Sequence, residues 1–396
     1  MTGRIKGLNN WHTLKAVALT AAAFVVLSCQ QEQIQDSLDG RITLYPIIES
    51  QIETTVMTRA AIDQSKYSRY DNQPNRQVIS VQAISFEPNS STRADKDAGG
   101  TFAPVQPTDQ NPRGWRSGVK VEPNYKYDLY AYSRQMPSST DPAFSYQNGS
   151  ASLAFSGLHV ITTKDPLVCV AASGAVLPDN PTVDTYPVLN EGAFNIGNIE
   201  KVTVDGVEKT TKAFMALDHL YSKATLSFRI DATYKSVRNI RIKDVELYTA
   251  AGTLTGTHTY TFTDNKLTLA TQNSSLGGDP ITIDIFGSDA DITTLELAED
   301  STYYTLTTDY REFGYFYFLP KNELQPIQLK VTYDVIDMKY NVTRADVLTV
   351  NSNLFQSIRT SARRGVNYKV MVTVSPTYLY QLSEDDVEMK LTIAEE

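Results

Sequence analysis

The chain has 396 residues, of which 41% are hydrophobic, so it can bury a core and its length suggests about two domains. Its formal net charge of −9 argues against a nucleic-acid partner, because binding to a phosphate backbone requires a clustered basic surface. The 23 Tyr against 2 Trp, with stretches rich in Thr and Val, favour half-buried strands and predict an all-β fold.

The N-terminus has the pattern of a secretion signal. A short basic region is followed by an uncharged run, 16–27, that is too short to be an ordinary membrane span. The run leads into the letters VLSC, with Cys29 last, and resembles the lipobox of bacterial lipoproteins, where a signal peptidase cuts before Cys and the thiol is acylated. We predict that a fatty acid such as palmitate on Cys29 anchors the protein to a membrane. The alternative is a plain secretion signal followed by an incidental Cys.

An early strand pattern follows the polar, Gln-rich stretch 30–40. From residue 41 onwards apolar side chains recur at even spacings, which places them on one face of a strand. The residues of this face are Ile42, Leu44, Ile48, Ile52 and Val56. They predict one or two strands at the start of the mature chain.

Short strand patterns separated by turn residues continue towards the C-terminus, as a β-sandwich requires. After residue 177 the composition turns to Pro, Asn, Asp and Gly, and the best position for a domain boundary lies within about 177–211. We predict a signal peptide at 1–28, a lipidated tether with the first strand or strands at 29–59, an N-terminal β-sandwich at 60–210 and a C-terminal β-sandwich at 211–396.

The last residues of the chain alternate strictly between apolar and polar. Within 387–393 the apolar side chains fall on one face of a strand, and they are Val387, Met389, Leu391 and Ile393. An isolated strand with one apolar face is marginal in water. This strand must therefore either close its own sheet or close the sheet of another molecule.

Patterns that carry catalysis or bind metals are missing from the sequence. None of His159, His219 and His258 has a further His, Cys or carboxylate at ligand spacing, so structural roles are expected for them. Nucleophile-elbow, zinc-protease and phosphate-binding glycine motifs are absent, and we predict no enzyme, catalytic residue, cofactor or metal site. Cys169 is expected in a buried strand. The aromatic run 315–318 is expected in a core strand, with a platform that stacks sugars as the alternative.

Several short motifs carry a resemblance to a known family. In chain order they are the lipobox at Cys29, LDHLYSKATLSF at 217–228, YFLP at 317–320 before VTYDV at 331–335, and GVNYKV at 365–370 leading to PTYLY at 376–380. In this order, and together with the terminal strand, they resemble the fimbrillins of Bacteroidetes, the pilin subunits of type V pili. The motifs extend over most of the chain.

The resemblance implies two β-sandwich domains in tandem, with transthyretin-like Greek-key topology. In this family a lipoprotein precursor reaches the outer membrane folded, and an Arg-specific protease then cuts after the first strand. The C-terminal strand of a neighbouring subunit fills the groove that opens. Carried over to this sequence, the cut falls after Arg59, with Arg93 as the alternative, and the strand at 387–393 replaces the segment 41–58.

The function that the resemblance implies is that of a structural subunit, stalk or accessory, of an adhesive pilus. Its partners would be other pilus subunits (copies or paralogues), the maturation protease, outer-membrane lipid through the acylated Cys29, and a ligand on a host or bacterial surface. The precursor would lie in the outer membrane and the mature protein in surface fimbriae. The alternatives are a monomeric, lipid-anchored, glycan-binding or adhesin protein of the same fold and, less in keeping with the sequence, a hydrolase with an unrecognised site.

Overall fold

A computed structural model gives the fold of the chain. It describes residues 41–49, 63–70, 77–102, 115–134, 141–177, 182–263, 266–272, 275–286, 292–297, 301–320, 326–351, 354–356, 361–376 and 388–395. Strands dominate these residues, and the predicted all-β class is confirmed. Within the same residues, no helix is both long and apolar enough to cross a membrane.

The strands and the short helix follow one another closely along the chain. In chain order they are β1 (Arg41–Glu49), β2 (Tyr67–Arg69), β3 (Ile79–Phe86), β4 (Ala98–Phe102), β5 (Trp115–Lys120), β6 (Lys126–Ser133), β7 (Ala143–Gln147), β8 (Ser150–His159), β9 (Ile161–Thr162), β10 (Leu167–Ala175), β11 (Asn195–Asn198), β12 (Lys201–Val204), β13 (Val207–Thr210), β14 (Lys212–His219), β15 (Ser222–Ile230), α1 (Ala232–Lys235), β16 (Arg238–Thr249), β17 (Thr253–Thr263), β18 (Lys266–Gln272), β19 (Leu276–Gly277), β20 (Ile281–Asp284), β21 (Tyr304–Thr305), β22 (Arg311–Phe318), β23 (Gln328–Asp337), β24 (Val342–Asn351), β25 (Asn367–Ser375) and β26 (Glu388–Glu395).

The largest sheet, sheet 1, contains the first strand of the described residues. Its order is β10-β14-β1-β5-β4-β3-β6-β11, and β2 also pairs with β1. Val168 of β10 pairs in addition with Tyr132 of β6, so the path from β10 to β6 closes into a ring. In a ring each strand has a neighbour on both sides, and unpaired edges are avoided.

Sheet 2 packs against sheet 1 and completes the first core. Its order is β18-β17-β8-β7, with β19 on β17. Along β8 buried and partly exposed residues alternate, because successive side chains of a strand point to opposite faces. Leu153 and Phe155 of β8 and Tyr260 and Phe262 of β17 enter the first core together with residues of sheet 1.

A second core lies between two further sheets. Sheet 3 has the order β26-β25-β15-β22-β9, and sheet 4 has the order β20-β16-β23-β24 with β21 on β16. Alternate residues of β15, Ala224, Leu226 and Phe228, are completely buried here, which explains why a Thr- and Ser-containing segment forms a core strand. Antiparallel β12 and β13 form a separate hairpin.

The chain passes between the two cores more than once. β14 ends at His219 in the first core, and β15 begins at Ser222 in sheet 3. β14 and β17 both lie beyond the region predicted for the domain boundary, and both contribute to the first core. An ion pair between Arg364 Nη1 and Asp218 Oδ2, 2.6 Å apart, joins the end of β14 to the segment before β25.

Candidate subunit-assembly site

The candidate site is the position of β1 within sheet 1. β1 runs parallel to β14, with Leu44 opposite Ala213 and Ile48 opposite Leu217. On its other side it is antiparallel to β5 near its start and to β2 near its end. A segment from the N-terminal end of the described chain therefore forms an interior strand of the sheet. Its removal would leave β14 without a partner along one edge.

Both faces of β1 are buried. Ile42, Leu44 and Ile48, which were predicted from the sequence, are 2%, 0% and 6% exposed. The opposite face carries Tyr45 and Ile47, which are 3% and 0% exposed and were missed because only the even positions were considered. The nearly continuous apolar run in β1 is the signal of a strand that is covered on both sides.

Tyr45 occupies an aromatic and cationic pocket on the second face of β1. Its ring stacks on Phe214 of β14 with centroids 5.2 Å apart, and it meets the ring of Tyr186 edge to face at 6.2 Å. The Arg69 guanidinium carbon and the Lys212 ammonium nitrogen each lie 5.8 Å from the ring centroid. Rings attract cations in this geometry, so Tyr45 is the most specific anchor of β1.

Pro46 lies where the neighbour of β1 changes. Residues 41–44 of β1 pair with β5 and residues 47–49 pair with β2, whereas Pro46 has a partner, Met215, only on the β14 side. Pro has no backbone N–H and is tolerated in a sheet only where no ladder bond is required. The gap between β5 and β2 is such a position.

The C-terminal strand β26 lies at the edge of sheet 3. It is antiparallel to β25 over its whole length, with Val372 opposite Leu391 and Val370 opposite Ile393. Leu391 and Ile393 are only partly buried and pack against the second core. At the end of β26, the Arg363 guanidinium binds Glu395 with 2.6 Å between Nη2 and Oε2, in an exposed ion pair.

The C-terminal strand with Val387, which we call the tail, has an apolar face like that of Ile42, Leu44 and Ile48 in β1. Its other face differs from the second face of β1. Its even positions, Glu388, Lys390, Thr392 and Ala394, are polar or small, whereas the second face of β1 carries Tyr45. This face of the tail carries both a carboxylate, Glu388, and an ammonium group, Lys390, and no aromatic ring, so it does not reproduce the ring contacts of Tyr45.

Several of the predicted site residues lie outside the described residues. They are Cys29, Ile52, Val56, Arg59 and Val387. For Met389 the structure gives only the backbone pairing, opposite Val374 of β25. The roles predicted for all of these residues remain predictions.

Arg93, the alternative cleavage position, is held in a tight turn. Its backbone forms a bridge with Phe86, and the neighbouring Glu87 N–H donates to the Thr92 carbonyl oxygen. The Arg93 guanidinium pairs with Asp97 and lies 5.1 Å from the ring of Tyr146. A protease needs an extended substrate, so this turn would have to open before cleavage.

The His and Cys side chains that could take part in catalysis or metal binding have structural surroundings. Burial lowers the pKa of His159 and of His258, while His219 Nδ1 lies 2.7 Å from Asp165 Oδ2. Cys169 is, as predicted, a buried residue of a strand, β10, and burial raises the pKa of its free thiol to about 12. In the part of the chain that the structure describes, no three His, Cys, Asp or Glu side chains are grouped to hold a metal ion.

The sequence matches no family model and no curated protein. Solved structures to which the chain can be aligned include a fimbrial protein from Bacteroides vulgatus, which aligns over 89% of this chain and 99% of its own, with 13% identity and a TM-score of 0.43. The fimbrial anchor protein Mfa2 from Porphyromonas gingivalis aligns over 90% of this chain and 97% of its own, with 12% identity and a TM-score of 0.31.

The tip fimbrial protein Mfa3 from the same organism, with a C-terminal truncation, aligns over 90% of this chain and 100% of its own, with 10% identity and a TM-score of 0.31. These solved structures are fimbrial proteins, the class that the sequence motifs resemble. Identities of 13% or less with TM-scores below 0.5 assign this chain neither a function nor a partner.

Proposed function

We propose that the chain is a structural subunit, stalk or accessory, of a type V pilus that contributes to adhesion. Assembly begins when a protease removes the first strand, and the groove that opens is then filled by the C-terminal strand of a neighbouring subunit. This is strand addition in the service of polymerisation. Head-to-tail contacts of this kind do not close on themselves, so they produce a filament.

One observation carries the proposal: β1 is an interior strand at the N-terminal end of the described residues. A cut after Arg59 removes it without interrupting the rest of the chain. Ala213 and Leu217 of β14, both completely buried, then lose their neighbour, and the backbone of β14 loses its ladder partner. Buried backbone groups left without partners are costly, so the cut chain has a strong tendency to accept another strand.

The tail supplies an apolar face comparable with that of β1. Burial of Val387, Met389, Leu391 and Ile393 contributes about 6 to 12 kcal/mol before ordering costs, at about 1.5 to 3 kcal/mol for each side chain. Each ladder hydrogen bond adds about 0.5 to 1.5 kcal/mol net. The net gain is smaller than this sum, because the tail already has a strand ladder with β25 and Leu391 and Ile393 are already partly buried there.

Cleavage is the switch in this scheme. Before the cut, β1 is part of the same chain and holds the groove at a high effective concentration, which excludes a strand from another molecule. After the cut, the tail of a neighbour can compete. The tail itself must leave β25, where the strand ladder along one side, the partly buried Leu391 and Ile393, and the exposed ion pair of Glu395 with Arg363 hold it.

We also propose that the chain forms two β-sandwich units in tandem. We place an N-terminal unit at 60–210 and a C-terminal unit at 211–396, each with transthyretin-like Greek-key topology. The two cores support a division into two units, and β14 and β17 add strands to the first core from beyond residue 210. The acceptor groove lies in the first core, and the donor strand packs against the second core.

Lipid attachment at Cys29 would hold the precursor in the outer membrane until the Arg-specific protease releases it into a fimbrium. Each CH₂ group of an acyl chain that is buried in the bilayer contributes about 0.8 kcal/mol to membrane binding. We expect the Cys29→Ala variant to be secreted without an anchor. Partition of that variant with outer membranes, together with incorporation of labelled fatty acid, would contradict the assignment.

Negative-stain microscopy of cells and of sheared surface material tests the pilus function. We expect fibres that contain this chain, and their loss when β1 is locked in place by a disulfide between Cys residues substituted for Leu44 and Ala213. Addition of reductant should restore fibre formation. Monomeric, uncleaved protein that stays on the cell surface without fibres would instead favour the lipid-anchored adhesin.

A further inference from the structure

The segment before β25, residues 361–366, lies between the end of β14 and the C-terminal strand, and we call it the latch segment. It contains two consecutive arginines whose side chains bind different elements. The Arg364 guanidinium forms an ion pair with Asp218 of β14, and the Arg363 guanidinium forms one with Glu395 of β26, each with 2.6 Å between nitrogen and oxygen. One short segment therefore contacts both the strand that lines the groove of β1 and the strand proposed as the donor.

Hydrogen bonds hold the backbone of the latch segment against the connection between β14 and β15. The Gly365 N–H donates to the Tyr221 carbonyl oxygen at 2.9 Å, and the Ser222 hydroxyl donates to the Arg363 carbonyl oxygen at 2.7 Å. The Arg363 N–H donates at 3.0 Å to the hydroxyl of Tyr368, which lies on β25 beside the end of β26. Because the two arginines are adjacent and the backbone around them is bound, a displacement of one changes the position of the other.

The ion pair of Arg364 and Asp218 is sheltered at the end of β14. The side chain of Asp218 is 6% exposed and that of Arg364 is 31% exposed. Asp218 pairs with Val168 of β10 on one side of β14, and on the other side the preceding residue, Leu217, lies opposite Ile48 of β1. Removal of β1 opens this second side to water, and opposite charges attract each other less strongly in water than in a protein interior. The strength of the ion pair therefore depends on β1.

The ion pair of Arg363 and Glu395 is exposed, with 44% and 43% of the two side chains accessible. Exposed ion pairs contribute little unless their geometry is fixed by other contacts. Here the guanidinium is positioned by a backbone that is bound to Tyr221 and Ser222. The hold of Arg363 on the tail is therefore expected to weaken when the latch segment loosens.

We propose that Arg363 and Arg364 are positioning residues that keep the tail on β25 while β1 fills its groove, and that loss of β1 helps to release the tail. This inference rests on the proposed function, in which the tail is the donor strand. Cleavage then has two consequences, an open groove and an available donor. Because coupling between two sites is reciprocal, a filled groove also favours a docked tail. Each new subunit therefore donates its tail before its own groove is filled.

Hydrogen exchange of the isolated, uncleaved chain in a Cys29→Ala background tests the latch without any need for fibres. Asp218→Asn combined with Arg364→Gln removes the charges and leaves no unpaired buried ion. We expect the backbone amides of β26 to exchange about threefold to tenfold faster, because the latch segment loosens and local opening becomes more frequent. An unchanged rate in β26 would overturn the proposal.

The matched control uses another ion pair beside the second core. Arg238 and Asp337 of sheet 4 are also 2.6 Å apart, with side chains that are 19% and 4% exposed. They join β16 to β23 and lie on neither β14 nor β26. Arg238→Gln combined with Asp337→Asn should leave the exchange of β26 unchanged. Equal acceleration by the control would show a general loss of stability and contradict the latch.

A charge swap tests the contact with the tail. Arg363→Glu places like charges together and should accelerate the exchange of β26 about twofold to fivefold. Arg363→Glu combined with Glu395→Arg restores opposite charges and should return the rate to that of the wild type. A structural effect of the substitution at position 363 would not be rescued in this way. Failure of the rescue would therefore contradict the role of Arg363.

A weakened β1 tests the coupling itself. Leu44→Ala leaves a cavity under β1 and should make β1 open more often. We expect faster exchange in β26 as well, while β16 and β23 of the same core keep their rates. In the Asp218→Asn, Arg364→Gln background, Leu44→Ala should add no further acceleration in β26, because the connection is already broken. Additive effects, or equal acceleration in β16 and β23, would overturn the coupling.

The consequence for assembly is tested with β1 locked by a disulfide between Cys residues substituted for Leu44 and Ala213. Locked chains with Asp218→Asn and Arg364→Gln should donate their tails to growing fibres and shorten them, whereas locked chains with the native pair should not. If both locked chains shorten the fibres equally, strand exchange stands and the latch is wrong. If fibres form under no condition, the proposed function fails, and the exchange rates of β26 still decide whether the latch exists.

Discussion

β1 and β26 are both terminal strands with an alternating apolar face, and the structure holds them in opposite ways. β1 has partners along both edges and is covered on both faces, and Tyr45 is fixed among two rings and two cations. β26 pairs with β25 on one side and lies at the end of sheet 3, and its residues Leu391 and Ile393 are only partly buried. β1 is thus a buried interior strand, and β26 is an edge strand.

The difference separates two requirements of strand exchange. A groove that accepts a strand must be deep. An open groove then leaves buried backbone groups without partners, which costs free energy, and binding of a new strand is favourable. A strand that is donated must be able to leave its own sheet at small cost. β1 occupies a place of the first kind, and β26 has the properties of the second.

The largest effect is expected from a charge placed in β1. Leu44→Asp puts a carboxylate at a completely buried position and should lower the free energy of unfolding by at least about 4 kcal/mol, or prevent folding. Leu391→Asp at the edge should cost only about 1 to 2 kcal/mol. Denaturant unfolding of the uncleaved protein measures both. Equal losses would mean that the two strands are held alike.

The second prediction concerns donation by the tail. Met389→Asp with Leu391→Asp should leave a folded and processed monomer that cannot donate its strand but still accepts one. Fibre formation is measured with the variant alone and in mixtures with wild-type protein, where it should cap one end of growing fibres. The matched control, Thr392→Ala, changes the opposite face of the same strand and should assemble. Normal polymerisation of the double variant, or its failure to fold, would place the donor elsewhere or make the tail part of its own core.

The third prediction concerns the cleavage position, where a substitution should have little effect on stability. We expect Arg59→Ala to abolish maturation, because an Arg-specific protease requires this side chain, and to change the free energy of unfolding by no more than about 0.5 kcal/mol. Arg93→Ala is the control, and it should leave maturation intact because Arg93 lies in a turn that is bridged to Phe86. Undiminished processing of the Arg59→Ala chain would contradict the assignment.

The smallest effect is a change in thiol reactivity. Burial raises the pKa of Cys169 to about 12, so its thiol is protonated and inert at pH 8 in the intact chain. Cys169 pairs with β14, the strand that loses its neighbour when β1 is removed. In a Cys29→Ala background, labelling of Cys169 should accelerate after cleavage and slow again once a donor strand is bound. A constant rate would show that the groove does not open towards β10.

Individual residues show how far the sequence predicts the structure. The apolar faces of β1 (Ile42, Leu44 and Ile48) and of the tail could be predicted because the side chains of a strand return to the same face at every second residue. Tyr45 and Ile47 were missed because periodicity identifies one face and not a strand covered on both. The completely buried Lys212 carries no sequence signal at all.

Pairing between distant segments could not be predicted. β1 lies beside β14, and β17 lies beside β8. In each pair, more than a hundred residues of sequence separate the first residues of the two strands. The sequence gives local preference, whereas partner choice depends on which faces the whole chain buries together. For the same reason the sequence predicted that the tail is a strand but did not predict that its partner is β25.

The most direct test of strand replacement is the N-terminal residue of the protein recovered from surface fibres. Removal of β1 predicts that the chain begins at Ala60, directly after Arg59, with the segment 41–49 missing from the assembled subunit. Fibres built of chains that begin at Cys29 would retain β1 in sheet 1, and they would contradict the account.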